Sequence, residues 1–175
     1  MTGKTHQSVS IRSATGFDSV NITRLIEASW ASSQAACAAR VSDLCAVQYV
    51  ASTIKDSHVI VAELSGRLIG ALACALMRER WSRPDDWFLC EEWFVISPQW
   101  VTRGIPEQLL SNAEEFADQT SLPMLLGGSL MSLPLETLLD RRPGYQRLNA
   151  QYLRMPKAAV GDAAAEIERR EAHLA

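Results

Sequence analysis

Apolar and polar positions along this chain repeat in two periods, and the switches between the periods lay out its elements. Residues 9–15 alternate in steps of two, as a half-buried strand does, and Gly16 with Asp18 then marks a turn and a helix cap. Val20, Thr23, Leu25, Ile26 and Trp30 recur at helical spacing, and Val41, Leu44, Cys45, Val47, Val50, Ala51 and Ile54 form a second apolar stripe. His58–Leu64 and Arg67–Met77 are β-rich runs joined by Ser65-Gly66, which predicts a tight hairpin. Residues 91–97 predict a central strand, and 123–128, bounded by Pro and Gly, a short buried one. Between them Leu109, Leu110, Ala113, Phe116 and Ala117 step by three and four, which predicts an amphipathic helix over Ile105–Thr120. A further short helix over 133–139 and a terminal strand region over 146–155 complete the pattern.

The junction of the central strand with the Ile105–Thr120 helix carries the first chemical expectation. The first turn of a helix leaves backbone N–H groups unpaired at the positive end of its dipole, so a phosphate or carboxylate can dock there. Elsewhere the chemistry is sparse. His6, His58 and His173 are dispersed and no Cys-x-x-Cys occurs, so no metal site is expected. Cys37, Cys45, Cys74 and Cys90 sit among small apolar neighbours and read as free buried thiols.

Composition adds bounds. With 175 residues, 47% of them hydrophobic, the chain supports one core and one main domain over 9–156. Residues 1–8 read as an extension. Residues 157–175 read as a helical tail of strong helix formers with few apolar anchors, held by a partner or by the domain surface. The net charge of −3 with scattered Lys and Arg gives no nucleic-acid footprint. No apolar run is long enough for a bilayer and no leader core is visible, so a cytoplasmic protein with no membrane association is expected.

Glu92, Phe94, Ile96, Pro98, Gly104, Ile105, Leu109 and Leu110 fill a pattern that resembles the central motif of the GNAT N-acetyltransferase superfamily. Gly144-Tyr145 is similar to that family's closing Gly-Phe. The resemblance spans about residues 9–156 and implies an α/β (α+β) fold, a mixed twisted sheet of about six to seven strands flanked by about four helices. It implies acetyl-CoA as cofactor and an amine, small-molecule or protein, as acceptor. The strand residues Phe94, Val95 and Ile96 would pair with the pantetheine arm. Arg103, Gly104, Ile105 and Glu107 would meet the pyrophosphate. The loop departs from the family pattern: Val101 stands for its opening Arg or Gln and Pro106 for its closing small residue, and a proline has no amide to give. Asp140 occupies the place of the family's tyrosine, and no Asn stands near 132–134. Acetyl-CoA binding is therefore expected to be weak or absent.

Acyl transfer needs a base for the amine, and Glu92 is the first candidate. Strict alternation puts it on the same face of the strand as Phe94 and Ile96, with Glu91 on the other face as the second candidate. The resemblance implies two alternative functions. One is an N-acyltransferase. The other is a non-catalytic GNAT-fold pseudoenzyme, a structural protein of a homo-oligomer or a larger assembly such as a phage virion. Trp81, Trp87, Trp93 and Trp100 read either as core or as an interface around the central strand.

Overall fold

The computed structural model describes residues 8–31, 43–78, 87–127, 138–148 and 151–154. Seven strands form one sheet: β1 (Ser10–Ser13), β2 (His58–Leu64), β3 (Arg67–Met77), β4 (Phe88–Ile96), β5 (Met124–Leu126), β6 (Tyr145–Leu148) and β7 (Gln151–Arg154). Their order across the sheet is β1-β2-β3-β4-β5-β7-β6, antiparallel throughout except for the parallel pair β4 and β5. Helices α1 (Ser19–Ala31) and α2 (Asp43–Asp56) pack on one face, and α3 (Ile105–Thr120) packs on the other.

Burial on both faces explains why β3 is apolar without alternation. Residues 68–74 of β3 are all buried, as a strand covered on both sides requires. On the α3 side Ile60, Leu72, Phe94 and Ile96 meet Ile105, Leu109 and Leu110. Opposite them Val61, Ala71, Trp93 and Val95 meet Ile22, Ile26 and Val50. Gly70 lets α3 come close. A Cβ there would stand 3.1 Å from Leu109 Cδ1 and 3.4 Å from Ile105 Cγ2.

The entry to α1 is fixed by charge. Arg12 of β1 holds both Asp18 carboxylate oxygens, at 2.8 and 2.9 Å, and also donates to Glu63 of β2. Thr15 N–H donates to Asp18 at 2.8 Å, closing the single 3-10 turn Gly16–Asp18 before the helix. The Arg12 hydrogen bonds pull the Asp18 carboxyl down to about 2 against the opposing effect of burial. Because the folded value lies below the unfolded one, this stabilisation is present above about pH 4 and is lost as pH falls toward 2. Asp18→Asn should cost about 1–2 kcal/mol at neutral pH, discounted for the partly exposed Arg12. The gap between wild type and variant should close between about pH 4 and 2 in urea unfolding. A gap independent of pH would refute the assignment.

The hairpin β2–β3 and helix α3 have the bounds the pattern predicts. The terminal strand region proves to be two strands, β6 and β7, paired antiparallel. Of the short helix expected over 133–139, only Leu138 and Leu139 are described, and both are helical. The extension 1–8, save Ser8, and the tail 157–175 lie outside the described residues. Of the four cysteines expected to be buried, Cys74 is buried, Cys90 half-buried, Cys45 exposed and Cys37 outside the described residues. Cys45 differs because it lies on the outward face of α2, whose inner side is formed by Val50 and Ile54.

Candidate functional site

The site is built on a fault in β4. Two hydrogen bonds reveal it: Leu89 N–H donates to the Pro123 carbonyl, toward β5, whereas Ser97 N–H donates to the Ile69 carbonyl, toward β3, both at 2.9 Å. Residues an even number apart in a regular strand aim their amides at the same neighbour. Positions 89 and 97 do not, because the β3 register shifts at Ala73/Cys74: Ala73 faces Trp93, Cys74 faces Glu91, and Glu92 has no partner. This is a β-bulge, and its one extra residue reverses both the edge and the face of the strand beyond it.

Past the bulge, Trp93 and Val95 spend their amides on β3, while the N–H and C=O groups of Phe94 and Ile96 turn to the side of β5. The described part of β5 ends at Leu126. It pairs with β4 only at Leu89 and Cys90, and among the described residues no strand pairs with β4 further along. Of the three strand residues expected to bind cofactor, Phe94 and Ile96 therefore turn backbone groups to the β5 side, where no described strand pairs with them, and Val95 does not.

The same bulge corrects the faces of the two glutamates. Glu92 does not share a face with Phe94 and Ile96. Its carboxylate accepts a hydrogen bond from the Tyr49 hydroxyl of α2, and it lies with Trp93 on the α1/α2 side. Phe94 and Ile96 belong to the core beneath α3. Glu91 takes the α3 side, is only 5% exposed, and accepts the Gly127 N–H at 3.0 Å, bracing the end of β5 against β4. Glu92, half-buried, is the more accessible of the two carboxylates.

The pairing of Tyr49 with the candidate base Glu92 is one that the sequence did not disclose. Burial, and then the Glu92 carboxylate, push its phenol up to about 12, so it stays protonated and donates to Glu92 at neutral pH. It lies beside the apolar stripe of α2, and only the packing of α2 over β4 brings it to Glu92.

From Ile96 the chain enters a 3-10 turn over Pro98–Trp100, which Pro98 opens, and the Arg103 N–H donates to the Trp100 carbonyl at 3.2 Å. The Arg103 guanidinium carbon lies 4.8 Å from the centre of the Trp100 ring, which holds it beside the loop. Gly104 caps α3 with a φ of 76°, a left-handed conformation that glycine adopts without a Cβ penalty. Gly104, Ile105 and Glu107 stand at the cap and in the first turn, where backbone amides have no intrahelical acceptor. Pro106 is the second helical residue and interrupts that row. Of the tryptophans, Trp93 is fully buried, Trp100 half-buried, Trp87 is 40% exposed, and Trp81 lies outside the described residues.

Among the described residues no helix is long and apolar enough to cross a membrane, and no group of three or more His, Cys, Asp or Glu could hold a metal ion. No protein-family model matches the sequence, and no curated protein matches it. Solved structures do resemble it. The PaiA N-acetyltransferase of Thermoplasma acidophilum, in complex with coenzyme A, is 14% identical with a TM-score of 0.59, over 86% of this chain and 99% of that one. A GNAT-family acetyltransferase of Brucella melitensis in complex with acetyl-CoA is 14% identical with a TM-score of 0.60, over 86% and 89%. A GNAT-family acetyltransferase of Staphylococcus aureus Mu50 is 9% identical with a TM-score of 0.64, over 86% and 100%. The fold is that of these GNAT acetyltransferases, shared at 9 to 14% sequence identity.

Proposed function

We propose that this protein is an N-acyltransferase that moves acetyl from acetyl-CoA to an amine of a small molecule or a protein. The observation that carries this reading is the β5 side of β4 at Phe94 and Ile96, where no described strand pairs and from which the chain leads into the amides at the head of α3. An extended arm bearing amides fits such an edge as an added strand would, and a pyrophosphate fits a helix N-terminus. The residues present fit the cofactor: Phe94 and Ile96 by backbone hydrogen bonds, Gly104, Ile105 and Glu107 by amides facing phosphate oxygens, and Arg103 by its charge. The bound cofactor supplies a thioester, an acyl group already activated toward nucleophiles. Glu92 would be the base, accepting the proton that the amine nitrogen loses as it takes the acyl group in place of the thiolate. Tyr49 positions it through the hydroxyl bond to its carboxylate. Glu91 holds β5 and serves the reaction only through the shape of the cleft.

A second reading is favoured by Pro106 and by the exposed Leu76, Met77 and Trp87: a non-catalytic component of a homo-oligomer or larger assembly, in the cytoplasm or in a virion. Titration calorimetry with acetyl-CoA separates the two. Val101 and Pro106 each remove a hydrogen bond to a charged oxygen, about 1–3 kcal/mol apiece, so binding weaker than micromolar is expected. Sub-micromolar affinity would overturn this account of the loop and strengthen the enzyme. No binding at millimolar acetyl-CoA would sink the enzyme.

A further inference from the structure

A concavity lies where β4 ends, between α1 and the turn joining β2 to β3, and Ile96 itself lines it. It holds about 390 Å³ and is lined by Asn21, Arg24 and Ser29 of α1, by Arg67 at the head of β3, and by Ser97 after β4. Two guanidiniums thus share one cleft that no carboxylate lines. Four other arginines are engaged: Arg12 by Asp18 and Glu63, Arg142 by Glu114, Arg103 and Arg78 over the rings of Trp100 and Trp87, whereas among the described residues Arg141 is not. Arg24 and Arg67 have no ion pair, hydrogen-bonded side chain or ring contact among the described residues. Two like charges held in one cleft repel, and an anion between them turns that repulsion into attraction. Guanidinium forks match the oxygens of a phosphate, and the side chains of Asn21 and Ser97 add neutral donors at the rim.

We propose that this cleft is a binding site for a phosphate-bearing ligand. It is separate from the carboxylate of Glu92, because Ile22 and Ile26 of α1 pack on Trp93 and Val95 between the two. Two sources share the chemistry. One is a phosphate of the coenzyme reaching round the end of β4. The other is a phosphorylated molecule that occupies the cleft by itself. The inference does not depend on acyl transfer, since it rests on the cleft alone.

The test uses the full chain at constant ionic strength, titrated with inorganic phosphate and followed by calorimetry, beside Arg24→Gln, Arg67→Gln and the double variant. Saturable phosphate binding is expected in the wild type. Each substitution should weaken it about 10- to 100-fold, the usual size of a lost charge-assisted hydrogen bond. Both side chains are exposed, so thermal melts of the variants should match the wild type. Coenzyme A then separates the sources. If it displaces phosphate and loses affinity in the same variants, the ligand is the coenzyme's own phosphate. If phosphate still binds to the coenzyme-saturated chain, the ligand is a separate molecule. Phosphate binding that does not saturate, or that the double variant leaves unchanged, overturns the site. A chain that binds phosphate but no coenzyme A refutes the acyltransferase reading and leaves the cleft standing.

Discussion

Glu92→Gln is expected to lower acyl transfer by about 10²–10⁴-fold, the range of a general-base contribution, while acetyl-CoA affinity stays within about twofold. The split arises from geometry. The side-chain amide of Gln keeps an oxygen that can accept the Tyr49 hydroxyl, so the link between α2 and β4 survives, and only the capacity to take a proton is lost. Tyr49→Phe is the companion variant. It removes a positioning hydroxyl and not the base, so it should cost about tenfold in kcat and leave KM for acetyl-CoA unchanged, a split that a purely structural role would not produce. A Glu92→Gln enzyme that keeps more than about half of its rate would remove Glu92 from the mechanism. Glu91→Gln would then be the next variant to measure, although its burial against Gly127 makes loss of stability its expected effect.

Trp93→Ala should be the most destabilising single change in the described fold, at about 3–5 kcal/mol, because it empties the centre of the layer between the sheet and α1. Trp93 is fully buried among Ile22, Ile26, Val61 and Val95. Its indole N–H has no acceptor among the described residues, so the side chain contributes through volume and carries a desolvation cost. Trp93→Phe removes the unsatisfied donor along with part of the volume, and should therefore cost only about 1 kcal/mol. In a chain of this size the Ala variant should melt about 6–20 °C below wild type. Equal losses for Phe and Ala would show that the indole nitrogen does have a partner.

Elements whose pattern is local were legible in the sequence. The β2–β3 hairpin is set by Ser65-Gly66 between two β-rich runs, and α3 by the steps between Leu109, Leu110, Ala113 and Ala117. The bulge was not legible. A period of two predicts faces only while the strand is unbroken, and at the break stand two identical residues, Glu91 and Glu92, so no apolar neighbour betrays the change of face. The pattern thus located the central strand and misplaced the side chain of Glu92 on it. Tyr49 was hidden for a different reason, since its pairing depends on how α2 lies across the sheet and on nothing within α2 itself. The division of the terminal strand region into β6 and β7 was hidden as well, because no strong turn dipeptide separates them.

The parallel step between β4 and β5 also bears on how the chain assembles. The first four strands lie side by side in the order in which they are made, and consecutive pairs among β2, β3 and β4 need only short loops or modest closures. β5 cannot join until α3 has formed and crossed the sheet, and among the described residues it is then held to β4 by two residue pairs and by the Glu91 carboxylate. β7 and β6 in turn depend on β5. The strands after α3 therefore form a late-docking unit with a weak seam, so native-state hydrogen exchange should find their amides opening together, below the free energy at which β2 and β3 open.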